Sequence, residues 1–176
     1  RAWVEELTVM FNRYYSAIAG DGEEVSLAYS TALENGVMLD TLLEEARRHD
    51  EIVRHTSVGP HRDDLEMLLS GMPLRRTGSQ GQCKTYTIAL RLAQYDFLKR
   101  VSGITPILLL DDIFDKLDAS RVENIVSMVS NGENFGQIFI TDVNRGHLDR
   151  ILSSSIGNYK LYNVERGIVT LNNERQ

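Results

Sequence analysis

The first part of the chain has two helical patterns of apolar residues with a strand-like pattern between them. Apolar residues recur every three or four positions across residues 3–18, which predicts an amphipathic helix with one packing face. Residues 25–29 alternate larger apolar side chains with small ones and predict a short strand. A second helix is predicted at about residues 40–56. We therefore expect residues 1–56 to form a mostly helical arm that is separate from residues 57–176.

The rest of the chain alternates strand-like and helix-like patterns. Short apolar runs end in polar or charged residues, and the longer segments between them have the spacing of three and four that is typical of a helix. In chain order the predicted elements are a strand at 65–69, a helix at 83–100, a strand at 107–110, a helix at 119–129, a strand at 136–142, a short helix at 147–152 and a closing hairpin at 158–164 and 168–171. This order predicts an α/β fold with a partial parallel sheet, flanking helices and a C-terminal β-hairpin.

The strand at 107–110 is the most informative of these elements. Its apolar residues lie between Pro106 and two adjacent carboxylates, Asp111 and Asp112. A run this short is typical of a strand that is buried on both faces, as in parallel sheets. Open α/β sheets bind ligands at the carboxyl ends of their strands, so the two carboxylates are candidates for a site. A core strand followed by an acidic turn explains the same residues.

Composition and charge narrow the functional classes. The chain has 176 residues, 42% of them hydrophobic and 25% charged, with a net charge of −6, as in an ordinary globular protein. No apolar run approaches the ~20 residues of a membrane span, and the single cysteine, Cys83, excludes a disulfide framework and suits a reducing cytoplasm. Because the net charge is negative, nucleic acid would have to bind a local basic cluster. Such clusters are Arg75, Arg76 and Lys84, and Lys99 with Arg100, although solvated surface charge explains both.

A small, polar, glycine-bearing loop from Thr77 to Gln82 leads into the predicted helix at 83–100. Free backbone N–H groups and the positive end of the dipole at a helix start form a site for phosphate or another anion. A helix cap formed by Ser79 or Thr77 is the simpler explanation of the loop on its own.

The order of these segments resembles the ATPase domains of the ABC class. Ser79-Gln80-Gly81-Gln82 is similar to the signature motif, and Leu108 to Asp112 is similar to the Walker B strand that follows one helix later. Leu117-Asp118 resembles the D-loop, and Thr141 ends the next strand, where these enzymes have their switch residue. Together with Gly59-Pro60-His61-Arg62-Asp63-Asp64-Leu65, the signature and Walker B segments closely resemble the RecF family of bacterial SMC-like ATPases.

The resemblance implies separate roles for the residues that end the two strands. Asp111 would hold Mg²⁺ directly or through water, since this hard cation prefers oxygen ligands. Asp112 would orient or deprotonate the attacking water, and the short reach of an aspartate fits slow hydrolysis. Thr141 would contact the γ-phosphate as a hydrogen-bond donor, although it lacks the positive charge of the histidine in ABC transporters.

The resemblance also implies a site that two subunits share. Ser79 and Gly81, with Gln80 and Gln82 beside them, would bind the γ-phosphate of ATP held by the other subunit. Asp118 would cross the same interface, and it is also a credible N-cap for the helix that follows it. ATP and Mg²⁺ are therefore the cofactors expected of a full-length dimer.

A complete ATPase of this class needs further motifs. A P-loop requires G-x-x-x-x-G-K-[ST], and the sequence contains no Gly-Lys dipeptide. In the family the P-loop and the Q-loop precede the arm, so we expect the sequence to represent the C-terminal half and to hydrolyse no ATP alone. Without the P-loop strand, the strand ending at Thr141 would keep an unpaired edge, which favours self-association.

The family implies a function in DNA replication and recombinational repair. That function is ATP-dependent DNA binding through head dimerisation, with recognition of single-strand gaps or junctions, loading of recombinase and slow hydrolysis. The implied partners are junction DNA, a second copy of the protein, and mediators of the RecO and RecR type, in the cytoplasm and away from membranes. A non-enzymatic DNA clamp and another SMC-like ATPase stay open, although the arm is short and lacks sustained heptads.

A metal-dependent nuclease is the alternative enzyme class. It would use Asp63, Asp64, Asp111 and Asp112 as metal ligands. It requires these carboxylates to converge, and it leaves the glycine-bearing loop unexplained. His61 with Asp63 and Asp64 also suggests metal ligands, but a charged turn is the better explanation of these three residues.

Overall fold

The structure, a computed structural model, describes residues 1–20, 22–34, 36–130, 134–143 and 159–172. The helices are α1 (Ala2–Ala19), α2 (Leu39–Val53), α3 (Leu74–Thr77), α4 (Gln80–Ser102) and α5 (Ala119–Ser130), with a 3₁₀ turn at Pro60–Arg62. The strands are β1 (Val25–Ser30), β2 (Asp64–Leu69), β3 (Met72–Pro73), β4 (Leu108–Asp111), β5 (Ile138–Thr141), β6 (Leu161–Glu165) and β7 (Ile168–Asn172). The predicted helix at 147–152 lies outside the described residues. None of the described helices is long and apolar enough to cross a lipid bilayer.

The first sheet contains β1, β2 and β3, all antiparallel to their neighbours. Side chains alternate between the two faces of a strand, so Val25, Leu27 and their neighbour Leu69 share the buried face. β1 lies against α1, and the Tyr86 hydroxyl of α4 donates a hydrogen bond of 2.6 Å to the carbonyl oxygen of Ser26. The sheet is therefore joined to both long helices.

β4 and β5 form the parallel pair on which the candidate site is built. Leu108 lies opposite Ile138 and Asp111 lies opposite Thr141, so both strands end at the same edge. Leu108 and its partner on the same face, Leu110, are buried, but Leu109 on the other face is 70% exposed. The prediction of a strand buried on both faces is therefore wrong, because nothing among the described residues covers the face of Leu109.

The far edge of β5 bears no strand within the part of the chain that the structure describes. The expected open edge and self-association through it both stay predictions. At the C-terminal end, β6 and β7 form the predicted antiparallel hairpin. The parallel pair and the hairpin, together with the helices, confirm the predicted α/β class.

Aromatic side chains of α1 and α4 form the centre of the core. Phe11, Tyr15 and Tyr86 are fully buried, with 4.5 Å between the ring centroids of Phe11 and Tyr86. Ring pairs at such distances add roughly 0.5–1.5 kcal/mol beyond the burial of their surface. α5 contributes a buried face at helical spacing, formed by Val122, Ile125, Val126 and Val129. This shared core fixes the start of α4 relative to the start of α5, where the candidate residues lie.

α2 stands apart from this core, since none of its residues is buried. By contrast, α1 packs on α4 and β1 pairs with β2. The part of residues 1–56 that precedes α2 therefore shares a core with later elements. The division of the chain between residues 56 and 57 stays a prediction.

Candidate functional site

α4 begins with a complete capping box. The Ser79 hydroxyl accepts a hydrogen bond from the backbone N–H of Gln82 at 3.2 Å, and the Gln82 side-chain oxygen accepts one from the backbone N–H of Ser79 at 2.8 Å. This reciprocal pair starts the helix at Gln80, earlier than the predicted start at Cys83. The interpretation of Ser79 as a helix cap is therefore confirmed.

The cap leaves two donors unpaired at the helix start. The backbone N–H groups of Gln80 and Gly81 have no acceptor among the described residues. Both lie in the first turn of a helix of 23 residues, where unpaired N–H groups and the helix dipole favour an anion. Ser79 and Gln80 are exposed. Capping and anion binding are thus compatible in this segment.

Asp111, Asp112 and Thr141 meet at the carboxyl ends of β4 and β5. The Thr141 hydroxyl donates a hydrogen bond to the Asp111 carboxylate and accepts one of 3.3 Å from the backbone N–H of Asp112. The same N–H lies 3.2 Å from the carbonyl oxygen of Thr141. All three residues are exposed, so both carboxylates face solvent. The structure brings together the three residues that the sequence predicted at this edge.

The backbone of Asp112 lies in the left-handed region, with φ at 47°. Lys84, from the first turns of α4, donates a hydrogen bond of 2.8 Å from Nζ to the carbonyl oxygen of Asp112. This bond joins the first turns of α4 to the end of β4. Arg75 and Arg76, the other members of the predicted basic cluster, are exposed on α3. DNA contact by any of the three stays a prediction.

Glu23, which no sequence pattern singled out, joins three helices at the start of α4. Its Oε1 accepts hydrogen bonds from Gln82 Nε2 at 3.1 Å and from Arg121 Nη2 at 2.9 Å, and its Oε2 accepts one from the Tyr15 hydroxyl. These donors lie on α4, α5 and α1. Because they are distant in the chain, local spacing contains no signal for this cluster.

Burial and hydrogen bonding act in opposite directions on the pKa of Glu23. Partial burial raises the pKa, but the hydrogen bonds from Tyr15 and Gln82 and the charge of Arg121 outweigh it, so the pKa lies below its ordinary value. Burial, followed by the hydrogen bond to Glu23, raises the pKa of Tyr15. Glu23 is therefore an ionised acceptor and Tyr15 a neutral donor at neutral pH.

Asp118 caps α5, as predicted. Its Oδ1 accepts a hydrogen bond of 2.9 Å from the backbone N–H of Arg121, and its Oδ2 lies 3.3 Å from Arg121 Nε. The loop before Asp118 also lies against the start of α4, since a methyl group placed on Gly81 would be 3.3 Å from the carbonyl oxygen of Lys116. The segments that resemble the signature motif and the D-loop are therefore packed together.

The other acidic pair, Asp63 and Asp64, lies at the start of β2 and therefore belongs to a different sheet from Asp111, the last residue of β4. Asp63 accepts a hydrogen bond from the Tyr29 hydroxyl, and hydrogen bonds from Thr31 and Tyr29 lower the pKa of Asp63. No three His, Cys, Asp or Glu side chains group into a metal site anywhere in the described ranges. The convergence that a nuclease requires is not found there.

Known proteins of similar sequence cover almost the whole chain, although no model of a known protein family matches it. A protein named DNA replication and repair protein RecF, from Bacteroides fragilis, is 51% identical over 175 residues, which are 99% of this chain and 47% of that protein. The protein of the same name from Parabacteroides distasonis is 55% identical over 166 residues, 94% of this chain and 45% of that protein. The chain belongs to the RecF family. It spans about half the length of the curated relatives it matches, which is consistent with the predicted C-terminal half.

Solved structures of RecF and of SMC heads share the fold. A structure of the recombination mediator protein RecF with ATP, from the RecFOR pathway, aligns with a TM-score of 0.69 and 24% identity over 97% of this chain and 44% of that one. An Smc head domain from Pyrococcus yayanosii aligns with a TM-score of 0.58 and 15% identity over 96% of this chain and 26% of that one. At these identities the likeness shows the fold alone, and it confirms the predicted relation to SMC-type ATPase heads at that level.

Proposed function

We propose that this chain supplies one side of an ATP site that a second copy of the protein completes, in an ATPase of DNA replication and repair. The observation that carries the proposal is the pair of unpaired N–H groups of Gln80 and Gly81 beside the exposed Ser79 hydroxyl. At the positive end of α4 these donors suit a phosphate group. The side chain of Gln82 is engaged by Ser79 and Glu23, so it holds the segment rather than the nucleotide.

Asp111 and its surroundings fit a magnesium ion. The Asp111 carboxylate is exposed at the end of β4, and the Thr141 hydroxyl orients one of its oxygens. Magnesium keeps several waters and is bound through one or two carboxylates together with substrate phosphates, so one oriented carboxylate is the expected contribution of this segment. The bound ion would neutralise charge that develops on the transferred phosphoryl group.

Asp112 takes the role of orienting the attacking water. Its main chain is held on one side by Thr141 and on the other by Lys84, so the carboxylate extends from a fixed position. Phosphoryl transfer needs positioning and charge stabilisation more than covalent chemistry from the protein. Thr141 supplies a hydroxyl and no positive charge, and this uncharged switch residue fits slow hydrolysis.

The wider function follows from the relatives, which are named DNA replication and repair protein RecF. In our proposal, ATP drives two heads together, and the dimer binds DNA, recognises single-strand gaps or junctions and loads recombinase. RecO- and RecR-type mediators are the proposed partners, and the cytoplasm is the proposed location. Residues 1–56, in which α2 has no buried residue, are the proposed arm. The exposed Arg75 and Arg76, together with Lys84, are the proposed DNA contacts.

Sedimentation of the full-length protein, with and without ATP and Mg²⁺, tests the proposed site. We expect dimers only with nucleotide. The variant Gln80→Glu places a negative charge at the anion site while favouring the helix start, so it should lose ATP-driven dimerisation and keep its thermal stability. Gln94→Glu, an exposed position on the same helix, is the matched control and should dimerise normally. Dimerisation of Gln80→Glu at the wild-type level would contradict the proposal.

A DNA-binding measurement distinguishes the non-enzymatic clamp from an enzyme that hydrolysis drives. If the full-length protein binds DNA equally well with ATP and with a non-hydrolysable analogue, hydrolysis is not needed for binding and serves only to release the DNA. Asp112→Asn should then bind DNA with ATP and lose turnover. We expect no turnover from the 176-residue chain alone, and turnover that Asp112→Asn abolishes in that chain would refute the prediction of half a site.

A further inference from the structure

Arg121 contacts three different parts of the candidate site. Its Nη1 donates a hydrogen bond of 3.0 Å to Thr85 Oγ1, its Nη2 donates one of 2.9 Å to Glu23 Oε1, and its Nε lies 3.3 Å from Asp118 Oδ2. The partners belong to α4, to the turn before β1 and to the loop before α5. Because a guanidinium is a rigid planar fork of donors, it fixes these three directions at once.

A second link joins Glu23 to the start of α4. Gln82 Nε2 donates a hydrogen bond of 3.1 Å to the same Glu23 oxygen that Arg121 contacts, and Gln82 Oε1 accepts the one of 2.8 Å from the backbone N–H of Ser79. A continuous line of hydrogen bonds, closed by the ion pair between Arg121 and Asp118, therefore runs from the main chain of Ser79 to the carboxylate of Asp118. Each intermediate side chain contacts the next through a single, defined atom.

The middle of this line is largely shielded from solvent, although its two ends, Ser79 and Asp118, are exposed. The side chain of Arg121 is 14% exposed, that of Glu23 is 24% exposed, and Thr85 is fully buried. Removing one member of a largely buried charge pair leaves the other without its partner, which costs far more than loss of a surface pair. The guanidinium also lies beneath the glycine of the loop, since a methyl group on Gly81 would be 3.8 Å from Arg121 Nη1. The two segments therefore cannot shift independently while the line is intact.

We propose that Arg121 is a positioning residue that holds residues 79–82 and the loop ending at Asp118 in one fixed arrangement, so that both meet the partner subunit as a single surface. The inference rests on the proposed function, because it concerns how the γ-phosphate site is presented. Arg121 itself does not contact the nucleotide. It acts through Glu23 and Gln82 on one side and through Asp118 on the other.

The variant Arg121→Gln in the full-length protein tests this role. We expect ATP binding by the monomer to equal that of the wild type, while ATP-driven self-association in sedimentation weakens about tenfold or more. Val129→Ala, which removes buried methyl groups from the same helix, is the control for lost stability. It should lower the melting temperature and leave self-association within about twofold of the wild type. Wild-type association of Arg121→Gln would overturn the inference.

Two further variants test whether Arg121 acts through its geometry rather than through its charge, and whether it acts together with Gln82. Arg121→Lys keeps the charge but not the fork, so it should associate as weakly as Arg121→Gln, and full recovery would refute the positioning role. Arg121 and Gln82 both donate to Glu23 Oε1, so their effects should not add. The double variant Arg121→Gln with Gln82→Ala should associate no more weakly than whichever single variant associates less well. Additive losses would overturn the inference. If the wild type shows no ATP-driven association, the proposed function fails and the inference fails with it.

Discussion

Substitution by alanine should have different effects on stability at two glycines near the start of α4, Gly78 and Gly81. A methyl group on Gly78 would lie 2.8 Å from Leu74 Cδ1 and 2.9 Å from the Leu74 carbonyl oxygen, so something must move to accept it. A methyl group on Gly81 would lie 3.3 Å from the Lys116 carbonyl oxygen, which a small shift relieves. We therefore expect Gly78→Ala to destabilise the chain and Gly81→Ala to leave its stability nearly unchanged.

The magnitudes follow from two opposing effects. Replacing glycine by alanine stabilises by about 0.4–1 kcal/mol through the unfolded chain when the backbone is compatible, as it is at Gly78 with φ at −73°. Overpacking costs about 1–3 kcal/mol. The main-chain oxygen of Leu74 cannot rotate aside, so overpacking dominates at Gly78 and the net loss is about 1–2 kcal/mol. At Gly81 the effects nearly cancel, and the free energy of unfolding stays within about 1 kcal/mol of the wild type.

Urea unfolding of the chain, followed by far-ultraviolet circular dichroism, measures both variants. With a slope of about 2 kcal/mol per molar urea, the midpoint of Gly78→Ala should fall by about 0.5–1 M, and that of Gly81→Ala should move by less than about 0.5 M. In the full-length protein Gly81→Ala should nevertheless weaken ATP-driven self-association, because its methyl group presses on the loop before Asp118, which belongs to the proposed subunit interface. Equal losses of stability in the two variants would refute the packing argument.

Three further predictions concern single hydrogen-bonded groups. The pKa of Glu23 is lower in the folded chain than its unfolded value of about 4.3. Its contribution to stability is therefore fully present above the unfolded pKa and is lost as the pH falls through the folded pKa. The melting temperature of the wild type should then fall more steeply on acidification than that of Glu23→Gln. Parallel slopes would contradict this. Tyr86→Phe removes the donor to the Ser26 carbonyl oxygen and should cost about 1–3 kcal/mol in urea unfolding, whereas an unchanged midpoint would mean that another donor replaces it. Thr141→Val should lower Mg²⁺-dependent ATP turnover of the full-length protein and Thr141→Ser should restore it, and normal turnover of the valine variant would show that the hydroxyl is dispensable.

Features that depend on neighbouring residues could be predicted from the sequence. The caps at Ser79 and Asp118 each involve a side chain and an N–H group three residues later, so their signal lies within one helical turn. The meeting of Asp111 with Thr141 was also predictable, because parallel strands bring their carboxyl ends to one edge. Fold class and much of the site therefore followed from local pattern and strand order.

Features that depend on distant parts of the chain could not be predicted in this way. Leu109 is exposed because none of the described elements packs over that face of β4. An apolar run in the sequence cannot show whether a second layer of structure covers the strand. Glu23 and Arg121 are ordinary charged residues in the sequence, and their pairing depends on how α1, α4 and α5 pack together. Lys84, a candidate for DNA binding by its charge, is engaged at the end of β4 by the same packing.

The left-handed main chain at position 112 restricts which amino acids the position accepts. Aspartate, asparagine and glycine adopt this conformation readily, whereas a longer or β-branched residue adds strain of about 1–2 kcal/mol. A glutamate here would gain reach toward a nucleotide and lose conformational fit. We therefore expect any gain in hydrolysis from that single exchange to be offset by strain in a main chain that the bonds from Thr141 and Lys84 hold in place. The pace of the proposed reaction would then be a property of the main chain as well as of the carboxylate.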